Sequence, residues 1–217
     1  MCISFGWNYC FFQMVVNRES ISNNNFYWPR SSHLNLICAP FVGVSHHWQN
    51  VIFGCAFLLD ETIASFKWLF KSFLDSIGNR SPITIFTDQD QAISNAIEEV
   101  FLNTHHRLCL WHISKTAPSN FWELNSNSEF QSLWNKCKKY CDLELEFQST
   151  WDKMMHKFNL EDHHWLNMMY KIQHKWSTAF TKDSFTYEFK ASLRSESTNH
   201  VFNNIADTTI SLSNFVI

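Results

Sequence analysis

TIFTDQDQAISNAIEEVF, residues 84–101, decides the architecture. Thr84, Ile85, Phe86 and Thr87 are apolar or β-branched and run straight into Asp88 and Asp90; Ala92, Ile93, Ala96, Ile97, Val100 and Phe101 then recur at helical spacing. A short buried strand handing over to an amphipathic helix is the βα step from which α/β sheets are built. A carboxylate at the carboxyl end of such a strand stands where these sheets place ligands, beside the positive end of the next helix. Asp88 is therefore a candidate metal ligand. Asp is also a common helix-starting residue, because its side chain accepts from the free N–H groups of the first turn. Spacing alone leaves both readings open for Asp88 and Asp90.

Upstream, LICAPFVGV (36–44) and VIFGCAFLLD (51–60) are two apolar runs joined by the polar SHHWQN, the pattern of an antiparallel hairpin of well-buried strands. Ile63, Phe66, Leu69, Phe70, Phe73, Leu74 and Ile77 then fall on one helical face, with Asp60 as the expected N-cap and Gly78 just past the end. Downstream of the opening stretch, HRLCLWHI (106–113) reads as another strand, and the layout is α/β with later strands parallel. From Pro118 to Lys190 the apolar residues, among them Trp122, Trp134, Trp151, Trp165 and Trp176, step by three, four or seven. A segment of that length is a helical insertion and not a loop. Residues 1–35 hold a polar turn, NRESISNNN, and weak strands at most.

Composition narrows the class. The chain has 217 residues, 45% of them hydrophobic, enough for one substantial core. Only four Gly and four Pro punctuate it, so long helices are expected. Seventeen Lys and Arg against twenty Asp and Glu leave a net charge of -3, without the positive excess of a self-sufficient nucleic-acid binder. Seven Cys at irregular spacing do not form a disulfide framework, so a reducing compartment is expected. No apolar run approaches the ~20 residues of a membrane span.

Few groups offer chemistry. Cys109 and His112 in CLWH are a thiolate and an imidazole three positions apart, half of a four-ligand zinc site. Cys137 with Cys141, His163 with His164, or His46 with His47 could join them only through folding; the alternative is a buried thiol and a histidine bonded to its neighbours. Glu196 in RSESTN reads locally as part of a helix start. Two-metal phosphoryl transfer needs several carboxylates around ions about 4 Å apart. Asp88 and Glu196 would be two of that set, and a third is required.

The stretch from APFVGVSHHWQN through TDQDQAISNAIEEVF to HHRLCLWHISKTAP resembles the transposase-derived core of the plant FAR-RED IMPAIRED RESPONSE related proteins, of the Mutator-like element (MULE) transposase type. The resemblance weakens through the helical block, returns at RSESTN, and covers roughly residues 36–217. It implies a ribonuclease-H-like fold, a mixed sheet with helices, carrying a mostly helical insertion. The expected parts are a poorly defined segment 1–35, a core 36–117, the insertion 118–190 and a carboxy-terminal part of the core, 191–217.

The resemblance also implies roles. In the parent transposases an Asp-Asp-Glu set binds Mg2+ or Mn2+; its second Asp corresponds to Asp88 and its Glu to Glu196, and the CxxH pattern corresponds to Cys109 and His112. The first Asp, in a strand of the type FDTTY before PFVGVNHH, has no counterpart: no Asp or Glu lies between Glu19 and Asp60. The first catalytic strand is thus expected to be missing, and a segment such as CFFQMVV (10–16) would have to cover the edges left behind. Asp60 is the nearest acidic substitute. The family's flanking zinc-binding domains have no counterpart here, so the chain reads as the core alone.

The function expected from this resemblance is a catalytically silent core of a nuclear transcription regulator of the light-response class. It would associate with related regulators as homo- or hetero-oligomers and reach DNA through domains outside this chain, with zinc in full-length relatives and no membrane partner. The alternatives are a metal-dependent DNA transposase or nuclease fragment, and the functionless product of a degraded gene.

Overall fold

The computed structural model describes residues 11–14, 37–44 and 50–180. They form two compact units, and the chain passes from the first to the second between His106 and Arg107.

The first unit is built on a five-stranded sheet of β1 (Phe11–Met14), β2 (Ile37–Val44), β3 (Asn50–Leu58), β4 (Thr84–Thr87) and β5 (His105–Leu108), the last crossing the unit boundary. The order is β3-β2-β1-β4-β5. Strands β2 and β3 make the expected antiparallel hairpin, from Ile37 opposite Leu58 to Val44 opposite Asn50. The register slips between Phe41, opposite Gly54, and Val42, opposite Ile52, so Phe53 is the extra residue of a β-bulge.

The centre of the sheet is β1. It pairs antiparallel with β2, Phe12 opposite Gly43 and Met14 opposite Phe41, and parallel with β4, Phe11 opposite Thr84 and Gln13 opposite Phe86. The segment named in the sequence as the one able to cover the open edges thus lies between them. All four residues of β4 are buried, as an interior strand covered on both faces requires.

Among the described residues two helices pack on the sheet, α1 (Ile63–Ser76) and α2 (Gln91–Val100). Phe66, Leu69, Phe70 and Phe73 on α1 and Ile93, Ala96 and Ile97 on α2 share one core with Ala39, Phe41, Leu58 and Ile85 of the sheet. Phe41 stacks on Phe73 at 4.0 Å between ring centroids, and Phe70 meets Phe101 at 5.3 Å. Lys67 pairs with Glu99 between the helices.

The start of α1 differs from expectation by two residues. Thr62 is the N-cap, accepting from the Ser65 N–H at 3.2 Å. Asp60 sits outside the helix, where its carboxylate accepts from the Thr62 N–H, the Thr62 hydroxyl and the Ser65 hydroxyl. The hydrogen bond from Ser65, then those from Thr62, hold the Asp60 carboxyl below its usual range. Both Asp and Thr have capping side chains, and their order along the turn decides which one acts. Gly78 terminates the helix as expected, at φ 75°, with the Asn79 N–H closing back on the Leu74 carbonyl at 2.8 Å.

The second unit holds α3 (Leu110–Asn120), α4 (Ser128–Lys139), α5 (Glu144–Lys157) and α6 (His164–Lys171), followed by 3-10 turns at Gln173–Lys175 and Thr178–Phe180. The strand expected over 106–113 ends at Leu108, and helix begins at Leu110, eight residues before Pro118. A short apolar run such as LCLWHI fits either period, and Ile113 and Ala117, buried one turn apart, settle the helix. Pro118 lies in its last turns, where the missing N–H costs least.

The core of this unit is aromatic: Trp134 touches Phe121, Trp151, Trp165 and Trp176 with centroids 5.5–6.2 Å apart. Two buried cations sit in it. Arg107 donates to the carbonyl of His174 and, at 3.1 Å, to that of Ser177, so it ties the turns that follow α6 to the start of the unit. Burial pulls its guanidinium down to about 10. The Ser177 hydroxyl donates to the Cys137 carbonyl at 2.7 Å, and the Trp176 indole N–H to the Met169 carbonyl at 2.8 Å. Lys138, 5% exposed, donates to the Ser114 hydroxyl at 3.0 Å, and its Nζ stands 5.5 Å from the Trp134 ring centre.

Burial first, and then Lys139, bring Lys138 down from 10.5 to about 8. In the unfolded chain it titrates near 10.5, so below pH 8 both states are protonated and the full cost of the buried charge is present. Lys138 should therefore contribute a rise in stability of roughly 1 to 3 kcal/mol as pH climbs from about 8 to about 10.5, opposed from about pH 9 by the buried Cys137 thiol, whose raised pKa acts in the other direction. Urea melts are expected to show Lys138→Met more stable than the native chain near pH 8, with that difference shrinking by the same amount toward pH 10.5. Trp134→Ala removes the centre of the aromatic core and should cost about 3–5 kcal/mol in the same measurement.

Candidate functional site

Strand β4 ends at Thr87, and Asp88 follows it half-buried, with its Oδ1 shielded from solvent. The two roles left open for Asp88 and Asp90 separate here. Asp90 is the N-cap of α2 in extended conformation, φ -105° and ψ 131°, and its Oδ1 accepts from the Ile93 N–H at 3.0 Å. Asp88 stands between strand and cap.

The groups around it were not singled out in the sequence. Thr87, fully buried, directs Oγ1 to the Asp88 carbonyl at 2.9 Å and to His106 Nε2 at 2.8 Å. His106 Nδ1 lies 3.3 Å from the Ser94 hydroxyl on α2. The single Thr87 hydroxyl hydrogen goes to the carbonyl, so His106 donates from Nε2 to Thr87, and its Nδ1 shares a hydrogen bond with the Ser94 hydroxyl. One imidazole from β5 thereby ties the end of β4 to the first turns of α2 and fixes the backbone that carries Asp88. The cue was a histidine in HHRL, at the position where a strand returns beside β4.

Cys109 and His112 do not share a strand. Cys109 is the N-cap residue of α3, 1% exposed and without a side-chain capping bond, and His112 lies one turn into the helix with its ring 4.7 Å from that of Trp111. Cys137 and Cys141 are buried in the aromatic core, where burial pushes both thiols up. His163 caps α6, accepting from the Leu166 N–H at Nδ1 and meeting the Asn120 carbonyl at 3.1 Å through Nε2. Glu196, His46 and His47 lie outside the described residues.

The donors can be weighed against the metals the resemblance implies. Two divalent ions need several carboxylates to neutralise and position them. Strand β1, the neighbour of β4, has the sequence FFQM and brings no carboxylate. Asp90 is engaged as a cap, and Asp60 at the start of α1. Among the described residues no three His, Cys, Asp or Glu gather as a metal-holding group. The described set therefore does not fit a two-ion site, and Cys109 with His112 supplies at most two of zinc's four ligands. Among the described residues no helix is long and apolar enough to cross a membrane.

Comparison with known proteins places these elements. Residues 27–116 match the MULE transposase domain, a span that contains β2 to β5 and begins after β1. The chain is 35% identical over 187 residues to FAR1-RELATED SEQUENCE 5 of Arabidopsis thaliana, covering 86% of this chain and 24% of that protein. It is 36% identical over 179 residues to FAR-RED IMPAIRED RESPONSE 1 of the same plant, covering 82% of this chain and 22% of that protein. The chain thus spans about a quarter of the length of these relatives.

His106→Ala should leave the Thr87 and Ser94 hydroxyls without their shared partner and lower stability by about 1–3 kcal/mol in urea denaturation. Asp90→Ala should cost about 1 kcal/mol through the lost cap.

Proposed function

Residues 27–116 belong to the MULE transposase domain family and the chain is a relative of the FAR1-related proteins; on that premise we propose that it is a transposase-derived core that has lost catalysis and serves a regulator of transcription. The observation that carries this reading is the strand at the centre of the sheet. In an Asp-Asp-Glu core of ribonuclease-H-like type the first carboxylate comes from the central strand, beside the strand that ends in the second. Here that place is held by FFQM, from outside the family-matched residues and without an acid.

The antiparallel run β3-β2-β1, continued in parallel by β4 with helices between later strands, supports the ribonuclease-H-like assignment. Asp88, at the carboxyl end of β4, is then the remnant of the second metal ligand, and Glu196 of the third. With one of three carboxylates gone, two adjacent ions cannot be neutralised and in-line strand transfer loses its main electrostatic support. Asp60, the nearest acidic substitute, has its carboxylate engaged by Thr62 and Ser65.

The remaining role is association. In this reading the scaffold works in the nucleus, pairs with related regulators, and reaches DNA through zinc-binding domains of a longer protein. Cys109 and His112 stay as remnants of the transposase pattern.

The test is a strand-transfer and nuclease assay with Mn2+ or Mg2+. The native chain should give no cleavage above the metal-only control, and Asp88→Ala should be indistinguishable from it. Cleavage by the native chain that Asp88→Ala abolishes would establish instead a working metal-dependent nuclease.

A further inference from the structure

Lys138 poses a separate problem, in the helical unit and away from Asp88 in the sequence. Its side chain crosses from α4 to α3, where Nζ donates to the Ser114 hydroxyl at 3.0 Å, and the ammonium faces the Trp134 ring at 5.5 Å. An ammonium has three N–H donors and needs a counter-charge when taken out of water. A hydroxyl and an aromatic face supply neither a negative charge nor a third acceptor. The charged neighbour that acts on it is Lys139, exposed at the end of α4, which makes the local field more positive. On α3, the residue after Ser114 is a further cation, Lys115, with its Nζ 5.3 Å from the Trp111 ring centre.

Two carboxylates on α4 and α5 are paired with other lysines. Glu146 is paired with Lys136 at 2.8 Å, and Glu129 with Lys157. The last turn of α4 therefore carries Lys138 and Lys139, and among the described residues no acid is paired with the buried one.

From this juxtaposition we propose that Lys138, with Ser114 and Lys139, forms a binding site for a phosphate-class oxyanion. The anion supplies the missing counter-charge and the missing acceptor together. Ser114 and Lys138 hold one oxygen from the protein side, and Lys139 closes over the ligand from solvent. Lysines bind such a ligand as point charges. Free phosphate and the diester of a nucleic-acid strand present the same oxygens. The second source alone rests on the DNA-associated reading given above.

The experiment is thermal unfolding of the full chain with inorganic phosphate, at constant ionic strength in chloride and pH 7. Phosphate at about ten times its dissociation constant should raise Tm by roughly 2–6 °C. Lys138→Met should melt higher without ligand and lose the phosphate-dependent shift. Lys139→Ser, which leaves the apolar core untouched, should melt no lower than the native chain and weaken phosphate binding several-fold.

Absence of a phosphate shift in the native chain, or an equal shift in both variants, overturns the site. A second arm uses a labelled single-stranded oligonucleotide. If the strand is the natural source, it binds, inorganic phosphate displaces it, and Lys139→Ser lowers the slope of log affinity against log salt by about 0.7. A phosphate shift with no oligonucleotide binding assigns the site to free phosphate and counts against core contact with DNA. Neither result depends on the outcome of the nuclease assay.

Discussion

The first unit depends on one pairing: the parallel contact of Phe11–Gln13 with Thr84–Phe86, continued on the other side by the antiparallel contact with Phe41–Gly43. Without β1 the β2–β3 hairpin and the β4–β5 pair are two separate pieces with open edges, and neither has the three strands needed for independent stability. With it, β4 becomes an interior strand, and its four side chains are buried. The same pairing fixes what stands beside Asp88. A segment that fills the slot restores the sheet through backbone hydrogen bonds, which any sequence can make. A two-ion site beside Asp88 would require a carboxylate in that segment, and FFQM has none. Fold and chemistry therefore separate at this strand.

In the second unit the comparable constraint is polar. Arg107 binds two carbonyls from the 174–177 segment, so the first residue of the unit and the turns that follow α6 are held together by charge-assisted hydrogen bonds. Its cost is visible in the guanidinium, pulled down to about 10 by burial. Lys138 is the less compensated case, with one hydroxyl and one ring. A buried cation bonded to carbonyls is a structural clamp; one left with a hydroxyl has capacity for an anion.

His106 plays the corresponding part in the first unit. Through Thr87 and Ser94 it joins the end of β4 to α2 and orders the backbone around Asp88. Such an arrangement is useful to a metal site and equally to a scaffold, which is why its geometry alone assigns no reaction. The chemistry must be argued from the donors that accompany Asp88, and those within the described residues are hydroxyls and an imidazole.

The sequence by itself determined the βα step at 84–101, the hairpin before it, the aromatic stripes of the helical block, the cap at Asp90 and the stop at Gly78, because each is written in local periodicity or in a short-range hydrogen bond. The family resemblance was also legible there. Tertiary structure decided the rest. Residues 11–14 lie far from 84–87 along the chain, and only folding could place them side by side. Asp60 and Thr62 both have capping side chains, and only the path of the turn chose Thr62. LCLWHI fits two periods, and packing of Ile113 and Ala117 made it a helix. Arg107 and His106 are ordinary letters in HHRL until Ser177 and Thr87 come within hydrogen-bond reach, since a long-range bond leaves no periodic mark in the chain.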